Sequence, residues 1–242
     1  MFLVQNKPYP MRKNHDIKAF FVVVFICFNT IVFSQQALAQ LPKEFVYAKE
    51  VIPNLRSDLR YYSSNNFIGK PIDGYIKPKL ILTKEAAAAL KNVQDELGRL
   101  GFGLLVYDAY RPQRAVDHFV RWAADSTDTL MKDVFYPNID KKELFNKQFI
   151  AKKSGHTRGS TVDLTIVSLT TGHILDMGGS YDLFDDKSAT DYPNITRNQR
   201  AIRLLLKRRM EKHGFKSHPQ EWWHYTLAKE PYPDKYFDFP VE

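Results

Sequence analysis

Six side chains in three short stretches carry most of the chemistry available to this sequence. His156 and Asp163 bound the first, Ser154-Gly-His-Thr-Arg-Gly-Ser-Thr-Val-Asp163. A Gly-containing turn between them lets a loop lead into a strand, so the two side chains can converge, and imidazole with carboxylate is a good donor set for zinc. Glu221 and His224 lie in the second, Glu-Trp-Trp-His-Tyr. Strand alternation sends Glu221 to one face and His224 to the other, so both reach one centre only if Glu221 comes from the turn entering the strand. Asp108 and Arg111 close the third, Val-Tyr-Asp-Ala-Tyr-Arg-Pro, where Arg111 is a permanent cation suited to an oxyanion.

Taken singly, each stretch has an ordinary structural explanation: unrelated surface groups, a core strand with a satisfied histidine, or an Asp108–Arg111 pair. Taken together they form a working set. His156, Asp163 and His224 would hold a zinc ion and leave a fourth position open, Glu221 would take a proton from water, and Arg111 would face the tetrahedral oxyanion. Metal-assisted amide hydrolysis needs that inventory.

These groups require a frame. Thr83 is placed to cap a helix running to about Leu100, with Gly101 as its stop. Residues 102–107 form a short apolar run suited to a buried strand, and Pro112 fits the first turn of a helix continuing to about Ala124. Residues 160–167 read as a strand. Thr196 to Gln199 has the capping-box pattern and opens a helix ending near His213-Gly214. Residues 221–227 read as a last core strand. The stretch from residue 40 to about 81, punctuated by Pro42, Pro53, Pro71 and Pro78, predicts short strands and loops. Helices and strands mix without regular alternation, which favours a single compact α+β domain.

The start of the chain differs from the rest. Lys7, Arg12, Lys13 and Lys18 precede an uncharged run from Ala19 to Phe33, and Ala37-Leu38-Ala39 supplies small residues at a cleavage site. This order predicts a secretory signal over residues 1–39 and an exported domain over 40–242, periplasmic or secreted; an uncleaved anchor is the alternative. The run is short for a bilayer span of about 20 residues, so no stable membrane association is expected after cleavage. Cys27, the only cysteine, lies inside the signal, so the exported domain has no disulfide and its metal site uses His and carboxylates. Removing the signal takes away four basic residues and one acidic residue and lowers the formal charge from +8 to +5. An excess of that size, spread along the chain, does not point to nucleic acid. Oligomeric state is not legible.

The strings YDAYRP, SGHTRGSTVDLT and EWWHY, in this order and spacing, closely resemble the D-alanyl-D-alanine dipeptidases of the vancomycin-resistance type. These belong with the D,D-carboxypeptidases and the Hedgehog signalling domain in a wider group of zinc peptidases. The likeness extends through Asp58-Leu-Arg-Tyr61, Asn65-Asn-Phe-Ile-Gly69, Asp73-Gly-Tyr75, Asp176-Met-Gly178 and Tyr181-Asp182. The resemblance implies a mainly antiparallel central sheet with flanking helices, one zinc ion on His156, Asp163 and His224, Glu221 as general base, and Arg111 on the scissile carbonyl. It also implies that Asp182, Ser154 and Tyr61 bind the termini of a small dipeptide, D-Ala-D-Ala, with Asp182 suited to the ammonium. Gly155 stands where the resistance enzymes carry Ser, and Gly179-Ser180 also departs from the pattern, which bears on substrate preference. The neighbouring readings are a D,D-carboxypeptidase acting on longer wall peptides and a non-catalytic zinc-containing wall-binding module.

Overall fold

In the computed structural model, which describes residues 41–242, the Thr83 hydroxyl accepts from the Ala86 amide at 3.3 Å and opens helix α1, Lys84–Gly98. The export signal expected over residues 1–39 lies outside the described residues. Helix α1 buries Ala86, Leu90, Val93 and Leu97 on one stripe. Its buried Gln94 accepts from the Leu104 amide at 2.8 Å and ties the helix to the strand that follows. Helix α2, Gln113–Ala124, starts after Pro112 and buries Ala115, Val116, Phe119, Trp122 and Ala123, the spacing of an amphipathic helix. Helix α3, Arg197–Lys212, opens on the expected capping box of Thr196 and Gln199. Glu96 of α1 links it to α3 through Arg209, Lys212 and His213.

Two sheets organise the domain. Strand β1, Phe45–Tyr47, pairs antiparallel with β3, Ile81–Thr83. The larger sheet has the order β2-β4-β5-β7-β6, where β2 is Arg56–Ser57, β4 Phe102–Asp108, β5 Thr161–Ser168, β6 Phe215–His218 and β7 Glu221–Leu227. Its pairings are antiparallel apart from the short parallel contact of β2 with β4, in keeping with the α+β expectation. Every residue of β5 from Thr161 to Val167 is buried, so the sheet is covered on both faces. Among the described residues, no helix is long and apolar enough to cross a membrane.

Register carries the functional residues into line. Asp108 on β4 pairs with Asp163 on β5, and Asp163 pairs with His224 on β7. Paired residues share a sheet face, so these three form a row across the central strands. A register shift then resolves the Glu221 problem. Ser217 pairs with Tyr225, but the next residue, His218, pairs with Glu221, so β7 bulges between these pairs. The bulge breaks strict alternation and lets Glu221, first residue of β7, line the same cavity as His224.

Candidate active site

His156 sits in a single 3-10 turn, Gly155–Arg158, whose first amide bond is capped by Ser154: its hydroxyl accepts from the His156 amide at 3.3 Å. Gly159 ends the turn at φ +82°, where an added Cβ would run into the Phe45 ring, so the glycine serves both the conformation and the close approach. Two bonds lock this turn to the loop after β4. His156 Nδ1 lies 2.7 Å from the Ala109 carbonyl oxygen, and the Arg111 amide donates to the His156 carbonyl at 3.3 Å. A ring nitrogen facing a carbonyl must carry the hydrogen, so Nδ1 donates and Nε2 is the nitrogen whose lone pair is free for a metal.

That lone pair meets two other donors. His156 Nε2 lies 3.2 Å from Asp163 Oδ1, His224 Nδ1 lies 3.1 Å from the same oxygen, and the two ring nitrogens are 3.3 Å apart. Asp163 Oδ1 is buried and has no hydrogen-bond partner. Burial alone would raise the Asp163 carboxyl, yet His156 and His224 hold it well below the ordinary carboxylate range. Ligand atoms about 2.0–2.1 Å from a tetrahedral zinc ion stand about 3.3–3.4 Å from one another, so this triangle fits that ion. His–Asp–His is also a zinc donor set. These residues are grouped by the geometry alone as able to hold a metal.

The other expected residues gather around the same triangle. Glu221 Oε2 lies 3.4 Å from His224 Nδ1. Burial, then the Asp163 charge, push the Glu221 carboxyl up to about 8 in the metal-free chain. Arg111 Nη2 lies 3.6 Å from Asp163 Oδ2 and is fastened to Asp108 Oδ2 at 2.9 Å. Asp108 Oδ1 accepts in turn from the Tyr75 hydroxyl at 2.7 Å. The Tyr61 hydroxyl donates to Asp182 Oδ2 at 2.9 Å, and Asp182 adopts φ +61°, an uncommon left-handed backbone for a residue other than glycine. Burial, then Asp163, raise the Asp182 carboxyl well above its ordinary value. Tyr61, Arg111, Ser154, His156, Asp163, Asp182, Glu221 and His224 therefore all line one cavity of about 300 Å³.

Several neighbours were not singled out from sequence. The Tyr181 hydroxyl sits 3.1 Å from the Tyr61 oxygen and 3.3 Å from Asp163 Oδ2, bridging the Asp182 end to the metal triangle. The Tyr181 ring stacks on Tyr107 at 4.4 Å. His218 lines the cavity with its ring 5.3 Å from that of His224; burial, then His224, hold it down at about 4, so it is a neutral hydrogen-bonding group. Gly155 has a structural explanation. A Cβ there would come within 2.6 Å of Thr161 Oγ1, which itself bonds Thr226 Oγ1 at 2.8 Å. The threonine pair fills the room a larger residue at 155 would need.

Residues 42–242 match the model of the Peptidase M15 family, described as D-ala-D-ala dipeptidase. A D-alanyl-D-alanine dipeptidase of Streptomyces coelicolor is 46% identical over 198 residues, covering 82% of this chain and 98% of that protein. One of Enterococcus faecalis is 45% identical over 197 residues, covering 81% and 98%. One of Escherichia coli is 32% identical over 186 residues, covering 77% and 86%.

Proposed function

Because this chain belongs to the D-Ala-D-Ala dipeptidase family of metallopeptidases, we propose that it is a zinc-dependent dipeptidase that hydrolyses D-Ala-D-Ala with Glu221 as its general base. The observation that carries this reading is the triangle of His156 Nε2, Asp163 Oδ1 and His224 Nδ1, 3.1 to 3.3 Å on each side, with a carboxyl group and a guanidinium against it. Holding a metal requires the triangle alone; Glu221 and Arg111 add what catalysis needs.

Zinc, when bound, supplies Lewis-acid activation of water and of the scissile carbonyl. Glu221 Oε2 takes the proton of the attacking water and later gives it to the leaving amine. A base buried beside Asp163 is poised near neutrality, and the positive charge of a cation next to it favours its ionised form. Arg111, pinned by Asp108, offers its guanidinium to the developing oxyanion without having to reorganise. Asp182, oriented by Tyr61, receives the dipeptide ammonium, and the cation in turn draws the proton off its raised carboxyl. The Ser154 oxygen accepts from the His156 amide, which leaves its O–H to donate to substrate. Trp223 lines the cavity and excludes water from it. With the export signal expected over residues 1–39, the activity would lie outside the cytoplasm, where it fits recycling or scavenging of wall-derived dipeptides.

A panel of peptides on zinc-loaded protein tests the reading. Elemental analysis is expected to give one zinc per chain, lost in His224→Ala and kept in Glu221→Ala, while Glu221→Ala loses turnover by several orders of magnitude. D-Ala-D-Ala should be cleaved and L-Ala-L-Ala left intact. Cleavage of a D-Ala-D-Ala-terminated pentapeptide in preference to the dipeptide would make this a D,D-carboxypeptidase. Zinc binding without any cleavage would make it a binding module.

A further inference from the structure

The two ends of the catalytic cavity differ in charge. Asp182 and its partner Tyr61 stand on the β4 side: the Tyr61 ring packs at 5.5 Å from Tyr75, whose hydroxyl bonds Asp108 at the end of β4. On the other side, beyond β7, runs the edge strand β6. Lys216, Ser217 and His218 on it all line the cavity, Ser217 turning its hydroxyl to Glu211, and Lys216 pairs in register with Thr226, which lines the cavity too. Lys153 lines the mouth from the segment leading to His156, its Nζ 5.0 Å from the Tyr236 ring. Among the described residues, neither lysine has a carboxylate within ion-pair distance, and the His218 ring has no hydrogen-bond partner. Three nitrogen donors without acceptors thus face a cavity whose opposite end is acidic.

A dipeptide is a zwitterion, and this polarity fits one orientation of it. We infer that Lys216 and His218 on β6, joined by Lys153 across the mouth, receive the free C-terminal carboxylate of the substrate, opposite the Asp182 that takes its ammonium. The inference rests on the dipeptidase reading and deepens it by naming what selects a free C-terminus. β6 lies one strand spacing, about 4.8 Å, beyond the β7 that carries Glu221 and His224, a span the residue after the scissile bond can cover. The peptide carbonyl then falls over the His156–Asp163–His224 triangle, between the two charged ends.

Kinetics with D-Ala-D-Ala and its C-terminal carboxamide read this directly on the zinc-loaded protein. The wild type is expected to prefer the free acid. Lys216→Met should raise KM for the acid roughly tenfold, as loss of a charge-assisted contact does, with kcat held within about twofold and the carboxamide unaffected. Lys216→Arg should keep the preference, and His218→Gln, which retains a donor, should keep more of it than His218→Phe. An unchanged melting temperature confirms that each variant folds. An acid-to-carboxamide ratio unaltered in the Lys153→Met, Lys216→Met double variant overturns the inference. A wild-type protein that cleaves neither compound overturns the dipeptidase reading instead, and calorimetric binding of the same two compounds to the same variants then decides the inference by the same ratio.

Discussion

Asp108 Oδ2 accepts from Arg111 at two nitrogens, Nε at 3.0 Å and Nη2 at 2.9 Å, and holds the guanidinium over the Phe119 ring, 5.1 Å from its centre. Asp108 is itself fixed by the Tyr75 hydroxyl and by its place opposite Asp163 in the sheet. The aspartate therefore spends its charge on aiming the arginine, and under the proposed mechanism that aim is toward the oxyanion.

Asp108→Asn should lower kcat by roughly ten- to hundredfold, less than the hundred- to thousandfold expected when an oxyanion donor such as Arg111 is removed outright. An asparagine oxygen still accepts but without the negative charge, so it holds the guanidinium more weakly, and its NH2 group cannot accept from the Tyr75 hydroxyl as Oδ1 does. Zinc content should stay at the wild-type level, because Asp108 is not one of the three donors of the triangle. Steady-state kinetics with elemental analysis checks both. Loss of zinc in Asp108→Asn would move this residue from aiming Arg111 to supporting the metal through His156.

Which of these relationships could be read beforehand follows from how local their causes are. Thr83, Thr196 and the run Glu221–Leu227 act through their immediate neighbours, and the caps and strand stand where local chemistry puts them. The six chemical side chains were legible because each belongs to a distinctive string. β6 was not: Phe-Lys-Ser-His has one buried residue and no apolar alternation, and it is a strand only because β7 offers it an edge. The β7 bulge was likewise invisible, since it is a property of pairing and not of composition. Tyr181 and Arg203 act over long sequence separations, and Arg203 lies in a helix so rich in Arg and Lys that nothing marks it as the buried one.

Glu221 supplies a pH test of the site in metal-free protein. Its carboxyl is raised from an ordinary 4.5 to about 8, so between these values the folded chain binds more protons than the unfolded chain. Stability must then fall as pH rises through that window. Glu221→Gln removes the titration. In chelator-treated protein the glutamine variant should gain on wild type as pH rises from 4.5 to about 8, by on the order of 2–4 kcal/mol, since each pH unit crossed inside the window contributes about 1.4 kcal/mol. Urea denaturation at both pH values gives the comparison. An equal difference at the two pH values would show that burial of the charge at Glu221 is not what destabilises the empty site.

Arg203 tests how the Asp182 end of the cavity is held. It is 1% exposed, and its fork donates to three backbone carbonyls, Nε to Met177 at 2.6 Å, Nη1 to Ala189 at 2.6 Å and Nη2 to Lys187 at 3.0 Å. Burial, then Arg200, bring its pKa down to about 10, so the cation is solvated by peptide oxygens and not by a carboxylate. Those carbonyls bracket the segment that carries Tyr181 and Asp182. Arg203→Met keeps most of the side-chain volume but leaves the carbonyls without their donors, a loss of about 2–4 kcal/mol, or roughly 5–15 °C in Tm for a domain of this size. Arg203→Lys can satisfy one or two of the three and should fall between. In both variants KM for the dipeptide should rise more than kcat falls, because the Asp182 end proposed to take the ammonium is loosened while the triangle on β5, β7 and the His156 turn is untouched. A Tm within about 1 °C of wild type in Arg203→Met, well inside the shift that even one lost buried bond produces, would refute the role given to this arginine.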